Sequence, residues 1–126
     1  SAEGSRDALE RGLRTSGMNV VRLPVYRTVM PKALQQRLRT VFAKPVDLVT
    51  ATSASCVEHL VESLEAAGLK GRVRKLPIAS IGPVTSQAAR RAGATVVLEA
   101  RASTMDGLTD AIVTAARRGR LKRVAR

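Results

Sequence analysis

The sequence predicts an α/β fold, a flavodoxin-like parallel sheet with flanking helices. Short apolar segments rich in Val and Ile alternate with amphipathic segments long enough for helices of about 10–15 residues. Glycines follow three of the amphipathic segments, at Gly17, Gly68 and Gly93, where a helix commonly stops. Strands that alternate with helices are joined by right-handed crossovers, which make the strands parallel.

The start of the chain predicts a helix and then an atypical strand. The helix is expected over residues 5–16, with Ser5 as its cap and Gly17 as its end. The segment NVVRLPVY, residues 19–26, predicts a strand. Its Pro24 cannot donate to a sheet ladder, so we expect either an edge strand or a crossing segment.

The middle of the chain predicts two helices, each leading into a strand. Pro31 suits the first position of a helix, and the strand after that helix is expected over residues 46–51. A second helix follows Ser53 and ends at Gly68, and the next strand is expected over residues 76–81. The apolar stripes of the two helices are Leu34, Leu38, Val41 and Phe42, then Val57, Leu60, Val61 and Leu64.

The last third predicts helix, strand and helix. Gly82-Pro83 breaks the preceding strand, and residues 95–98 (TVVL) predict the final strand. Ser103 and Asp106 have the spacing of a capping box, with Asp in place of the usual Glu or Gln. The last helix therefore begins here. The helix between Pro83 and Gly93 carries its small residues on one side: Thr85, Ala88, Ala89 and Ala92.

The chain is strongly basic, with 22 Lys and Arg against 10 Asp and Glu, a net charge of +12 over 126 residues. Six of the basic residues lie among the last ten positions: Arg117, Arg118, Arg120, Lys122, Arg123 and Arg126. The rest of the chain still carries +6, which favours an anionic ligand. No nucleic-acid module or base-stacking aromatic accompanies the tail, so we favour a solvated basic end over nucleic-acid binding.

Composition argues against several other classes. No apolar run approaches the roughly 20 residues of a membrane helix, and we see no signal-peptide pattern. The single Cys56 excludes an internal disulfide and suits a reducing cytoplasm, where we expect the protein to reside. One Cys and one His argue against a zinc site, and glycine-rich nucleotide-binding fingerprints are absent from the sequence.

Three segments are expected at the edge of the sheet where ligands bind. In an open parallel sheet this is the edge at the carboxyl ends of the strands. The segments are Tyr26-Arg27-Thr28, Thr52-Ser53-Ala54-Ser55 and Ile81-Gly82-Pro83-Val84-Thr85-Ser86. Two of them lead directly into helices, whose first amides are free to bind anions. The alternative for any single Ser or Thr is a simple helix cap, and for Gly82 a tight turn.

Four segments of the chain also occur in a recognisable order. They are GSRDALERGLRTSGMNVVRLPVYRT (4–28), VDLVTATSASCVEHL (46–60), IASIGPVTSQAARRAG (78–93) and STMDGLTDAI (103–112). In this order and spacing they resemble the C-terminal half of the uroporphyrinogen-III synthase family. The resemblance covers nearly the whole chain. Val84 departs from it, since the family often has a hydroxyl residue directly after Ile-Gly-Pro.

The resemblance implies a division of the chain between two domains. Family members are longer and fold as two α/β domains joined by a two-stranded connector. Residues 1–17 would then end the middle domain, 18–30 form the crossing strand, 31–116 belong to the split domain, and 117–126 form a basic tail. The N-terminal half of the same protein would then be the partner of this chain. Alone, the fragment would expose a sheet edge open to self-association.

The resemblance also implies a reaction. The family cyclises hydroxymethylbilane to uroporphyrinogen III as a lyase, with loss of water, inversion of ring D and no cofactor. Tyr26 is the best candidate for the acid that assists the departing hydroxyl. The substrate carries eight carboxylates, which suit helix-terminal amides, hydroxyls and arginines. The substrate-binding candidates are Thr52, Ser53, Ser55, Gly82, Val84, Thr85, Ser86, Arg6 and Arg27.

Other functions stay open at this point. The chain could be a catalytically silent ligand-binding or regulatory module of the same fold, since half of a domain pair can bind without turnover. It could bind nucleic acid through residues 117–126. A receiver domain of similar fold is disfavoured because the acidic cluster expected at its strand ends is missing.

Overall fold

A three-stranded parallel sheet forms the centre of the structure, a computed structural model that describes residues 2–23 and 32–121. The strands are β1 (Val49–Ala51), β2 (Pro77–Ser80) and β3 (Thr95–Glu99), in the order β1-β2-β3. In the central strand, Ile78 pairs with Val49 on one side and Val96 on the other. The predicted α/β class with a parallel sheet is confirmed.

Helices flank this sheet on both faces. They are α1 (Ala2–Thr15), α2 (Lys32–Phe42), α3 (Ala54–Ala66), α4 (Pro83–Arg91) and α5 (Met105–Arg117), with a 3-10 helix at Lys70–Lys75. The helices α3 and α4 are the two crossovers between neighbouring strands, and both advance across the sheet in the same direction. Right-handed crossovers therefore place them on the same face. The helices α1 and α5 pack together against the other face.

The alternation of side chains along β2 divides the core into two clusters. Ile78 is fully buried in the cluster that α2 and α3 cover, beside Leu38 and Leu64. Ala79, the next residue, points to the opposite face and is buried in the cluster with Leu108 of α5. Leu9, Leu13 and Ile112 complete the second cluster. Both faces of the sheet are apolar because helices cover both faces.

The predicted helix ends at Gly17, Gly68 and Gly93 are confirmed. These residues have φ angles of 88°, 78° and 92°, in the left-handed region that residues with a Cβ rarely adopt. At Gly68 and Gly93 the backbone turns out of a helix and into the approach to the next strand. The turn at Gly17 ends α1, and the chain folds back alongside that helix.

The strand predicted over residues 19–26 is wrong for the residues that the structure describes. Residues 19–23 join no ladder and lie alongside α1. Arg14 donates to the carbonyl of Val20 at 3.0 Å, and Arg22 pairs with Asp7 at 2.6 Å. A β-rich sequence favours an extended backbone, but a strand also needs a neighbouring strand as its hydrogen-bond partner. The remainder of this prediction, residues 24–26, lies outside the described residues.

Smaller differences occur at element boundaries. The first two strands are shorter than predicted, since residues 46–48, Leu76 and Ile81 lie outside the ladders, and β3 extends one residue further, to Glu99. The 3-10 helix was not predicted at all. The cap of α5 is Thr104, whose hydroxyl accepts from the Gly107 amide at 2.9 Å, and not Ser103. Either of these adjacent hydroxyl residues could serve as the helix cap, and the backbone conformation decides which of them does.

The packing of α1 depends on a glycine. A Cβ placed on Gly12 would lie 2.8 Å from the Cγ2 of Thr109, so the missing side chain lets α1 approach α5 closely. The assignment of residues 1–17 to a different domain from residues 31–116 stays a prediction. None of the helices within residues 2–23 and 32–121 is long and apolar enough to cross a membrane.

Two buried serines should differ in their effect on stability. Ser63 on α3 is 2% exposed and its hydroxyl has no hydrogen-bond partner among the described residues, whereas that of Ser80 donates to the Gly82 carbonyl at 2.8 Å and accepts from its amide at 3.2 Å. Ser63→Ala should leave the free energy of unfolding unchanged or raise it by about 1 kcal/mol. Ser80→Ala should lower it by about 1–3 kcal/mol, because it leaves the buried Gly82 groups unpaired.

Urea unfolding of both variants and the parent chain provides the measurement. Each variant removes the same atom from a buried serine, so each is the size-matched control for the other. An equal loss of stability in both variants would contradict the assigned hydrogen bonding.

Candidate functional site

Three connections meet at the carboxyl edge of the sheet. They run from β1 into α3, from β2 into α4 and from β3 into α5. Backbone hydrogen bonds join the three beyond the strand ends: the Ile81 amide donates to the Ala51 carbonyl at 3.0 Å, and the Ala100 amide to the Ser80 carbonyl at 2.8 Å. The structure therefore brings the start of three helices to one edge, as an open parallel sheet requires.

The start of α3 is capped by Ser53. Its hydroxyl accepts from the Cys56 amide at 3.1 Å and lies 3.3 Å from the hydroxyl of Ser55, which is exposed. The first backbone bond of the helix runs from the Val57 amide to the Ser53 carbonyl. The amides of Ala54 and Ser55 precede that bond and have no partner within the helix. Ser53 thus caps the helix, and the hydroxyl of Ser55 is exposed to solvent.

The turn into α4 depends on Ser80 and Gly82. Ser80 is fully buried, and its hydroxyl holds both backbone groups of Gly82. Gly82 itself is extended, with φ of −179°, so its conformation does not require glycine. Its environment favours glycine: a Cβ there would collide with the hydroxyl of Ser103 from the β3–α5 connection, which would have to turn away. Glycine allows these two connections to touch.

The first turn of α4 offers amides more readily than hydroxyls. Thr85 and Ser86 are 4% and 0% exposed, and the Ser86 hydroxyl donates to the Glu99 carboxylate at 2.6 Å. Val84, by contrast, is 70% exposed. The first backbone bond of the helix is from the Ser86 amide to the Gly82 carbonyl at 2.9 Å. The amides of Val84 and Thr85 therefore have no partner within α4.

The start of α5 repeats this arrangement. Thr104 caps the helix, and the Leu108 amide makes the first backbone bond, to the Thr104 carbonyl at 2.9 Å. The amides of Met105 and Asp106 precede it. Gly107 is needed here because a Cβ would collide with the carbonyl of Ala102. Three helix N-termini, each with unpaired amides and a positive partial charge, thus lie along one edge.

The structure places some of the sequence-predicted residues at this edge and leaves others undescribed. The two connections supply Thr52, Ser53, Ser55, Gly82 and Val84, of which Ser53, Ser55 and Val84 are exposed. The side chains of Thr85 and Ser86 turn inward, so only their backbone is available to a ligand. Arg6 lies on α1, but its side chain, like Tyr26 and Arg27 as whole residues, lies outside the described part of the chain.

Sequence reasoning missed three residues that shape this edge. Ser80 fixes the turn before α4, Ser103 touches Gly82, and Glu99 accepts from Ser86. Ser80 and Ser103 belong to segments that carried the family resemblance; Ser80 was assigned no role, and Ser103 was predicted as the helix cap that Thr104 provides. The contacts of Ser103 with Gly82 and of Ser86 with Glu99 cross from one connection to another, and no spacing within a segment reveals such contacts. Among the described residues, no three His, Cys, Asp or Glu side chains converge as metal ligands would.

This combination is the framework of an open α/β domain, the class of fold in which ligands bind at the carboxyl edge of the sheet and helix N-termini there suit anions. Comparison with known proteins identifies the family. A family model described as "Uroporphyrinogen-III synthase HemD" matches residues 1–110, and the chain belongs to the uroporphyrinogen-III synthase family, as its motifs predicted.

One curated relative is similar over most of the chain. It is the uroporphyrinogen-III synthase of Synechococcus elongatus, 31% identical over 114 residues, which are 86% of this chain and 43% of that protein. The chain thus spans less than half the length of this relative. The family is one of porphyrin and heme biosynthesis.

Substitution of two serines at the start of α3 should separate capping from surface exposure. Ser53→Ala removes the acceptor of the Cys56 amide and should lower the free energy of unfolding by about 1 kcal/mol. Ser53→Asn retains a capping oxygen and should restore most of it. Ser55→Ala changes an exposed hydroxyl and should stay within about 0.5 kcal/mol of the parent. Denaturant titration measures all three. A loss for Ser55→Ala as large as for Ser53→Ala would contradict this assignment of the cap.

Proposed function

We propose that this chain supplies the C-terminal half of a uroporphyrinogen-III synthase site and binds its polycarboxylate substrate. The observation that carries the proposal is the meeting of three helix N-termini at one sheet edge in a member of this family. Unpaired amides and the positive ends of helices stabilise carboxylates without a charged side chain. A substrate with eight carboxylates matches such an edge.

The proposed reaction converts hydroxymethylbilane into uroporphyrinogen III. The terminal C–O bond breaks and the protonated hydroxyl leaves as water, which produces an electrophilic azafulvene. The substituted α-carbon of ring D attacks the methylene carbon that lost the hydroxyl, which forms a spiro intermediate. The bond from this α-carbon to the bridge carbon of ring C then breaks and re-forms at the other α-carbon of ring D, which loses a proton, so that ring D is inverted. The enzyme would be a lyase that needs no cofactor.

In this proposal Tyr26 assists the chemistry, and the other residues bind the substrate. The amides of Ala54, Ser55, Val84 and Thr85 hold substrate carboxylates and keep the flexible chain of four rings folded. The amides thus contribute to catalysis by holding the reacting rings in position. Tyr26 provides the proton or hydrogen bond to the departing hydroxyl. Arg6 and Arg27 add charge contacts. The substrate-facing hydroxyls are those of Thr52, Ser53 and Ser55.

The domain arrangement belongs to the same proposal. Residues 1–17 end the middle domain, residues 18–30 cross between domains, and residues 31–116 belong to the split domain, whose missing part comes from the N-terminal half of the protein. The fact that the chain spans 43% of its relative supports a site completed by other residues. We place the reaction in the cytoplasm on the evidence of a single cysteine.

The decisive assay is cyclisation of hydroxymethylbilane with separation of isomers I and III. It is run on the 126-residue chain and on a longer protein that adds an N-terminal half. We expect isomer III from the longer protein and a strong decrease of turnover in its Tyr26→Phe variant with unchanged folding. Isomer I alone from both proteins would overturn the synthase proposal. It would favour the alternative, a catalytically silent binding module of the same fold.

Charge at the start of α4 provides a second test that does not need turnover. The first turn of this helix has no acid, and Val84 is 70% exposed. Val84→Glu should stabilise the helix by about 0.3–1 kcal/mol, since a carboxylate there complements the helix dipole. The same carboxylate repels the substrate. Affinity for uroporphyrin, the oxidised product that retains all eight carboxylates, should fall about tenfold, or about 1.4 kcal/mol.

Val84→Gln is the neutral control of similar shape and should change affinity far less. Fluorescence titration measures the affinity and thermal unfolding the stability. If Val84→Glu binds uroporphyrin as tightly as Val84→Gln does, the start of α4 does not contact the ligand.

A further inference from the structure

The edge of the sheet opposite the candidate site is formed by three segments that contact one another. These are residues 39–44 at the end of α2, residues 67–76 around the 3-10 helix, and residues 90–95 before β3. They form the amino edge, because each segment leads into the start of a parallel strand or into its approach.

Specific contacts hold the three segments together. Arg39 donates to the Ala67 carbonyl at 3.0 Å, and Arg72 donates to the carbonyl of Phe42 and covers its ring. The hydroxyl of Thr95 donates to the carbonyl of Arg74 at 3.2 Å. The residues of the three segments therefore form one continuous surface, which we call the amino-edge surface.

The amino-edge surface is basic throughout. Its three segments contain eight basic residues and no acidic residue: Arg39, Lys44, Lys70, Arg72, Arg74, Lys75, Arg90 and Arg91. Arg39 and Arg72 use their guanidinium groups to join the segments. The other six are exposed. Asp47 and Glu65 flank these segments, and within residues 2–23 and 32–121 no carboxylate forms an ion pair with any of the eight.

The end of α5 adds to the charge at this side of the molecule. The helix starts at the carboxyl edge after β3 and returns towards the amino edge, so its last residues lie at the same end of the sheet. Arg117, Arg118 and Arg120 are exposed there. The end of α5 and the amino-edge surface, which are far apart in sequence, thus lie at the same end of the domain.

We propose that the amino-edge surface binds the phosphodiester backbone of duplex nucleic acid without reading its sequence. Exposed, unpaired Arg and Lys groups on one surface are the electrostatic requirement for binding phosphates, and Arg matches a phosphate in bidentate fashion. This function is separate from the proposed cyclisation, which uses the opposite edge. From sequence alone only the tail suggested nucleic acid, since the three segments are separated along the chain.

The composition of the amino-edge surface favours nucleic acid over other anionic partners. The large apolar residues exposed in the described chain are Val21, Val84 and Val97, and none lies in the three segments. A protein interface needs apolar or aromatic anchors, and a membrane-binding surface needs an apolar face to insert. The aromatic ring within the three segments, Phe42, is 3% exposed and cannot stack on bases. Duplex backbone is therefore favoured over single strands, which bind by stacking.

The test compares two variants with the same change in charge. The first is Arg74→Gln/Arg90→Gln/Arg91→Gln, within the amino-edge surface. The control is Arg11→Gln/Lys32→Gln/Arg37→Gln, three exposed cations outside it. Binding of each to a fluorescent DNA duplex of about 20 base pairs is measured by anisotropy over a series of salt concentrations from about 50 to 200 mM.

The parent chain should bind the duplex with an affinity that falls steeply with salt. Each lost phosphate contact lowers the slope of log affinity against log salt by about 0.9. The surface variant should therefore lose about 2–3 units of slope, and the control less than about 1. Thermal unfolding of both variants checks that the fold is intact.

Several results would overturn the proposal. They are no duplex binding by the parent at the lowest salt, an equal loss of slope in the surface variant and the control, or tighter binding to a single strand of the same length. Binding to vesicles of anionic lipid without binding to the duplex would also overturn it. Uroporphyrin affinity should be the same in the surface variant and the parent, so failure of the cyclisation proposal and of this one are distinguishable.

Discussion

The parallel pairing of β2 with β1 and β3 is the constraint on which the rest of the structure depends. Because the three strands run the same way, all three following helices start at one edge of the sheet and all approaches to strands lie at the other. The alternation of Ile78 and Ala79 along β2 then commits each face of the sheet to its own apolar cluster. Each edge thereby acquires a distinct chemical character.

The carboxyl edge presents backbone groups, whereas many anion sites present charged side chains. The residues that shape its turns are small: Ser80 is internal, and Gly82 and Gly107 leave room for neighbouring connections. Amides at helix starts are held rigidly by the helix itself, so they need no rearrangement when they meet a carboxylate. The basic residues of the amino edge are, in contrast, long and exposed, a character that suits a diffuse, salt-sensitive attraction.

Much of this organisation could be predicted from local patterns. The glycines that end α1, α3 and α4, the parallel α/β class and the family all followed from spacing and motif order. The segment 19–23 shows the limit. Its apolar and β-branched residues favour an extended backbone, but its polar contacts are with α1, through Arg14 and Arg22. Whether an extended segment becomes a strand depends on a partner that is distant in sequence.

The sequence by itself determined where α1, α3 and α4 end, which strands could be buried, and to which family the chain belongs, because these depend on local propensity, periodicity and motif order. Only the tertiary structure decided which hydroxyls at the carboxyl edge are exposed. Ser55 stayed exposed while Thr85 and Ser86 turned inward, since the packing of α4 on the sheet assigns their side of the helix to the interior. It also gathered three basic segments at one edge, because parallel strands bring distant approaches together.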